Sequence, residues 1–279
     1  MAQTINTNLV SLNTQRNLAA TAGSLATSIQ RLSSGLRVNS AKDDAAGLAI
    51  ADRMNSQVRG MNVAIRNAND GISLTQTADG ALAGVGDMMQ RMRELAVQST
   101  NSTNGTDDRG NLDQEFQQLA DEVDRVLQGT KFNGKAVLGA DATSLSFQVG
   151  AGTTTQDSIT VSMTRLDTAT SITNVTGASS DISTAANATT AINNIDAALT
   201  AINSERSKMG AVQNRFDSVV SNLRISVESQ SAARGRIMDA DFASETANLA
   251  RGQILQQAGT AMLAQANSLP NGVMALMRG

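Results

Sequence analysis

The stretch Leu18-Ala-Ala-Thr-Ala-Gly-Ser-Leu-Ala-Thr-Ser-Ile-Gln-Arg-Leu-Ser-Ser-Gly-Leu36 decides the fold. Leu18, Ala22, Leu25, Ile29, Leu32 and Leu36 recur at alternating gaps of four and three. That spacing lines one face of a helix and requires a second helix alongside. A second row, Ile5, Leu12, Ala19 and Ala26, broadens the stripe. The segment from about Asn6 to Ser34 therefore reads as a helix ~45 Å long. Toward the other end, Ile202, Met209, Phe216 and Leu223 repeat every seven residues, and Ile254, Leu255, Ala258, Met262 and Leu263 stripe a last helix. Two ends that both carry unfinished apolar stripes, with little chemistry between them, describe a building block.

The helical reading extends inward. Met54, Val58, Met61, Ile65, Ala68 and Ile72 keep the four-three rhythm until Asp79, Gly86 and Arg93 interrupt the row. Leu74, Ala78, Ala81, Val85, Met88, Met92 and Leu95 then take over. This predicts a helix that changes its buried face or packs on two sides, and Gly71, Gly80, Gly84 and Gly86 weaken it or mark a bend. Asn101–Gly110 is a polar turn, and Leu112, Phe116, Leu119, Val123 and Val126 form a third helix. Gly129–Gly139 reads as a loop. Leu145–Val149 and Ile159–Met163 alternate apolar and polar residues, the mark of two strands and a β-hairpin that needs a helix to lie on. Thr168–Thr190 is weakly patterned and reads as an exposed tip. The final helix is expected to stop at Leu269-Pro270-Asn271-Gly272.

The expected fold is mainly α: a long antiparallel helical bundle or coiled coil with one small β-hairpin region. Residues 1–42 and 236–279 together form a terminal coiled-coil domain. Residues 43–235 form a helical bundle with the hairpin near 143–165 and the exposed tip near 166–190. A two-helix seam of Ala, Leu, Gln and Thr is weak alone, so the end segments are expected to order when many copies unite their stripes. The assembly stripes are placed at Leu18, Leu25, Ile29, Leu32, Ile254, Leu255, Met262 and Leu263.

Composition narrows the function. The chain of 279 residues has no His and no Cys. That removes histidine general-base catalysis, Ser–His triads, thiol nucleophiles and the usual zinc ligands. The adjacent pairs Asp43-Asp44 and Asp107-Asp108 point in different directions on a helix, and Asp239-x-Asp241 lacks the further oxygen ligands and glycine of a calcium loop. All three read as caps or solvated carboxylates. Gly84-x-Gly86 and Gly150-x-Gly152 lack the full phosphate-binding fingerprint. The twelve Met residues read as core. No catalytic, cofactor-binding or metal residues are assigned, and no cofactor is expected. A net charge of −3 offers no basic surface for nucleic acid. No apolar run is long enough to span a bilayer, and no secretory signal is evident. Aromatics are 2% of the chain, so burial falls to small and aliphatic side chains that need long shared contacts.

Specific motifs name a family. Arg31-Leu-Ser-Ser-Gly-Leu-Arg-Val-Asn-Ser-Ala-Lys-Asp-Asp-Ala-Ala-Gly-Leu-Ala-Ile50 resembles the N-terminal signature of bacterial flagellin. So do Asn69–Leu74, Gln76–Leu82, Arg93–Gln98 and Phe132-Asn-Gly134. Gly210–Phe216, Asp239–Ala243 and Ile254–Asn267 resemble its C-terminal half; about Ala140–Ala191 lacks such matches. The resemblance implies an extracellular flagellar subunit, exported unfolded by the flagellar type III apparatus without a cleaved signal, and polymerising with itself under a cap protein. It implies terminal helices in the inner tube of the filament; most members add outer variable domains in mid-chain, for which this chain has no room, so it resembles a minimal form. It implies hook-junction proteins as neighbours and an export chaperone at the C-terminal helix. By position it carries Arg91, Leu95 and Glu115 over to a patch recognised by Toll-like receptor 5, which subunit packing also uses. The chain departs from the family pattern at Ser229, at Gly235 and in its last ten residues, Pro270–Gly279. Two other readings remain at this point: a cytoplasmic coiled-coil signalling hairpin of chemoreceptor type, which predicts a helical tip and a membrane anchor, and an enzyme working through carboxylates alone.

Overall fold

The computed structural model describes residues 7–177 and 180–276, with side chains as far as residue 268. Six helices carry most of it: α1 (Leu9–Ser34), α2 (Ala45–Ser99), α3 (Thr106–Gly129), α4 (Thr170–Thr176), α5 (Ala185–Met238) and α6 (Phe242–Leu276). Two antiparallel strand pairs lie between α3 and α4: β1 (Lys131–Phe132) with β2 (Lys135–Ala136), and β3 (Ser144–Gln148) with β4 (Ser158–Ser162). Contacts divide the chain into a terminal unit, built from the chain up to Ser56 and from Ser229 onward, and a central unit, Gln57–Glu228. Both divisions fall inside long helices, α2 and α5.

In the central unit α2 does not change face. Its buried row is Met61, Ala64, Ala68, Gly71, Thr75, Ala78, Leu82, Val85, Met89, Met92, Ala96 and Ser99, an unbroken alternation of three and four. The stripe passes through Gly71, Thr75 and Ala78, small residues that a search for large apolar side chains skips. The helix is assigned without a break from Ala45 to Ser99, through its glycines. On α5 the matching row is Ala188, Ala191, Ile195, Ala198, Ile202, Glu205, Met209, Phe216 and Val220. Strict 3.5-residue spacing on two antiparallel helices is coiled-coil packing. Ion pairs tie the helices at Arg93–Asp196 (2.7 Å) and Asp79–Arg206 (2.9 Å).

The hairpin pairs Leu145 with Val161 and Phe147 with Ile159. Its apolar side joins the core through Val149, Ile159, Val161 and Met163. Gly129–Gly139 contains a second, minute hairpin, where Asn133 (φ 48°) and Gly134 (φ 81°) form the two-residue turn. Residues 166–190 are not simply an exposed tip. Leu166, Ile172, Val175 and Ile182 are fully buried, and α4 packs on α3. Apolar residues spaced along a Thr/Ser-rich segment suffice to pin it down, although they are too sparse to show a period.

In the terminal unit α1 and α6 run antiparallel. Gly35, at φ 71°, closes α1 by donating its N–H to Arg31 O at 2.8 Å. The connections then cross-bond: Arg37 N donates to Met238 O at 2.7 Å, and Ala240 N donates to Gly35 O at 2.9 Å. The final helix does not stop at Leu269–Gly272; it is helical through Leu276.

Candidate assembly interface

The terminal helix pair meets through a seam narrower than its stripes. On α1 the side chains turned toward α6 are Ser11, Thr14, Leu18, Thr21, Leu25, Ser28 and Leu32. The leucines fall every seventh residue, and two of them meet glycines. The Leu18 Cδ1 lies 3.1 Å from where a Gly259 Cβ would be, and the Leu25 Cδ1 3.2 Å from that of Gly252. Arg31 reaches the buried Glu245 at 3.8 Å. A seam of leucine on glycine, interleaved with Thr and Ser, brings two backbones close while burying little apolar area.

The rest of the stripe points away. Of the expected stripe residues, Leu18, Leu25, Leu32 and Leu263 are half-buried in the pair, whereas Ile29, Ile254, Leu255 and Met262 are 50%, 66%, 52% and 65% exposed. Leu9, Val10, Leu12 and Phe242 are exposed as well. Sequence reading did not single out Leu9, Val10 and Phe242. They lie at helix starts, where a stripe has too few turns to display a period. Large aliphatic side chains on both helices of a pair, all left in solvent, form an unfinished surface.

The patch at Arg91, Leu95 and Glu115 is built differently. Arg91 donates from Nε and Nη2 to Glu115 Oε1 (2.9 and 2.8 Å) and from Nη1 to Glu94 Oε2 (3.0 Å). The bonds to Glu115, then those to Glu94, hold the Arg91 guanidinium in its charged form more firmly than usual. Both groups of the Arg91–Glu115 pair are about half exposed. Leu95 is 1% exposed, inside the core. Its side chain packs in the core rather than on the surface that carries the ion pair. Beside this patch, Gln90, Arg93, Glu94, Val97, Gln98 and Leu199 line a shallow groove.

The carboxylates singled out by sequence act locally. Asp44 Oδ1 accepts from Gly47 N at the start of α2, Asp108 Oδ2 from Gly105 N at the start of α3, and Asp241 Oδ1 from Ala243 N and Ser244 N at the start of α6. Asp43 Oδ2 accepts from Asn39 N and Ser40 N, bonds that lower its pKa. These are capping and turn bonds of the ordinary kind. Among the described residues, no helix is long and apolar enough to cross a membrane.

Comparison with known proteins fits this architecture. Residues 5–143 match the bacterial flagellin N-terminal helical region, and residues 192–277 match the bacterial flagellin C-terminal helical region. A flagellin of Halalkalibacterium halodurans is 44% identical over 274 residues, 98% of this chain and 99% of the relative. A flagellin of Xenorhabdus nematophila is 41% identical over 315 aligned residues covering all of both chains. The crystal structure of Bacillus cereus flagellin superposes with a TM-score of 0.50 at 32% identity, over 57% of this chain and 88% of that one. The chain belongs to the bacterial flagellin family, in a short form without large additions between the two helical regions. It is a structural subunit of the bacterial flagellar filament, and the chemoreceptor-type alternative is not supported.

Proposed function

We propose that the outward apolar face of the terminal helix pair, Leu12, Ile29, Ile254, Leu255 and Met262, is the surface this subunit buries against its neighbours as the filament grows. The observation that supports this is their exposure on helices that already have a partner. Each large aliphatic side chain withdrawn from water contributes ~1.5–3 kcal/mol. Such a face repeated on every copy drives polymerisation without catalysis or cofactor. The half-buried Leu18, Leu25, Leu32 and Leu263 join the two helices so that the face is presented as one surface. On this reading the terminal coiled coil of residues 1–42 and 236–279 is the polymerising element. The subunit works outside the cell, reaching its place by the flagellar export route. Its neighbours are further copies, the cap and the hook-junction proteins. An export chaperone binds the C-terminal helix before assembly, and the Arg91–Glu115 pair is the exposed part of a surface for Toll-like receptor 5.

The test is the double substitution Ile254→Glu with Met262→Glu. Both side chains are in solvent in the single chain, so helix content and melting of the monomer are expected to stay at the parent values. Seeded polymerisation, followed by sedimentation and electron microscopy, is expected to be lost. Normal filaments from this variant refute the assignment of the face.

A further inference from the structure

Pro270 lies within α6, and proline has no N–H. In an α-helix the carbonyl of Ala266 would take its hydrogen bond from the amide of residue 270. That donor does not exist. The other helix supplies one: Asn8 Nδ2 donates to Ala266 O at 2.7 Å. The same carboxamide caps α1, its Oδ1 accepting from Ser11 N at 3.1 Å. Next to it, Ser11 Oγ donates to Asn267 Oδ1 at 2.8 Å. One short side chain therefore closes the start of α1 and fills a gap in α6.

At its base the pair is aligned by the bonds among Gly35, Arg37, Met238 and Ala240 and by Arg31 on Glu245; beyond them the leucine–glycine seam repeats and adds little preference for one alignment. Leu18 on Gly259 and Leu25 on Gly252 are the same pairing seven residues apart. A slip of one heptad would set Leu25 on Gly259 and Leu18 on the small Ala266, again without a clash of large side chains. The Thr and Ser positions between the leucines penalise such a slip little. Pro270 is the single proline of the chain, so the Ala266 carbonyl is a mark that occurs once along α6.

We infer that Asn8 locks the register at the far end of the terminal helix pair, away from the cross-bonded base, by recognising the one carbonyl of α6 that proline leaves without an intrahelical donor. Asn8 is a positioning residue. The device goes beyond the outward face: it fixes which residues of α1 stand beside Ile254, Leu255 and Met262 when that face is presented.

The chain has no Cys, so engineered cysteine pairs report register without background. In the full-length chain, Ser11→Cys with Asn267→Cys reads the observed alignment, and Ser28→Cys with Gln257→Cys reads the alignment slipped by seven. Asn8→Ser keeps a helix cap but is too short to reach Ala266. It is expected to lower the ratio of native to slipped disulfide roughly fivefold, the factor for one ordinary hydrogen bond. Pro270→Ala returns an N–H to α6 and removes the mark. It is expected to raise helicity and yet lower the same ratio. A purely structural part for these residues predicts the opposite for Pro270→Ala, a firmer pair with an equal or higher native yield. If Asn8→Ser loses both disulfides through poor folding, Pro270→Ala alone decides. An unchanged ratio in that variant overturns the inference.

Discussion

The ring of Phe216 on α5 occupies the space that a side chain at Gly71 on α2 would need. A methyl group at position 71 would come within 2.6 Å of the Phe216 Cζ. The Phe147 ring, from the hairpin, meets the same ring edge to face, with centroids 5.5 Å apart and planes at 82°. Two of the five Phe of the chain thus join α2, α5 and β3 at one point. This is where a short hairpin gains the helix support that it needs.

Gly71→Ala is therefore expected to destabilise the central unit by ~1–3 kcal/mol through overpacking, in spite of alanine's better helix propensity. Gly84→Ala is the control. Nothing lies within 4 Å of its missing side chain, so the same change there is expected to stabilise by up to ~1 kcal/mol. Urea unfolding followed by circular dichroism separates the two. Equal effects of the same sign would show that Phe216 does not sit on Gly71.

How much of this was legible in the sequence depends on what periodicity can report. Helices at both ends, a hairpin between them and a heptad rhythm were readable from Leu, Ile and Met spacing. The partner of each stripe was not. Within the pair, α1 turns Thr21 and Ser28 toward α6 and leaves Ala22 and Ile29 outside. Hydrophobicity marks a face to be covered, without saying by which chain. Along α2, Gly71, Thr75 and Ala78 hid the continuous row because close packing of backbones selects small residues there. Gly129–Gly139 was read as a loop although Asn133-Gly134 carries a hairpin signal, because strands of two residues show no alternation of their own. The helix through Pro270 was not, since the donor that replaces the missing N–H lies more than two hundred residues away at Asn8.

Glu205 occupies a position of the α5 core row where its neighbours are apolar. Its carboxylate accepts from Thr164 N (3.1 Å) and Thr164 Oγ1 (2.9 Å) just after β4, and from Lys208 Nζ (2.9 Å). The group is 2% exposed, so its removal strands a buried backbone donor. Glu205→Ala is expected to cost ~2–3 kcal/mol. It should raise hydrogen exchange at Thr164 and along β4 before it affects α3. Glu205→Gln keeps an acceptor for Thr164 N and is expected to cost distinctly less. Equal losses for Ala and Gln would mean that charge, rather than the tie to Thr164, is what matters.

Acid is expected to weaken the loops before the helices. Thr154, through its hydroxyl and then its amide, holds the Asp157 pKa below the ordinary 3.8, and Asn187, then Ser183, do so for Asp181. A carboxylate whose pKa is lower in the folded chain contributes stability at pH values above 3.8, and the contribution is lost as pH falls through the depressed value. Melting temperature is expected to be flat above about pH 5 and to fall below it. The Asp157→Asn, Asp181→Asn double variant starts lower at neutral pH and shows a shallower acid slope. Parallel curves for variant and parent would remove these two aspartates as the cause.

If the Arg91–Glu115 pair is the proposed receptor surface, its variants separate recognition from stability. Exposed ion pairs contribute little to folding, so Arg91→Glu, Glu115→Arg and the charge-swapped double variant are all expected to melt like the parent. Receptor signalling in a Toll-like receptor 5 reporter cell is expected to fall in both single variants. The double variant restores the ion pair but reverses its direction on the surface, so signalling should stay low if a partner reads the charges, and recover if the pair only aligns α2 with α3. Leu95 is unsuited to this test. Leu95→Ala opens a cavity in the core at ~2–5 kcal/mol, and a lost signal from it would report unfolding. Signalling by Arg91→Glu at the parent level would overturn the proposed receptor role of Arg91 and leave its contact with Glu115 as a link between α2 and α3.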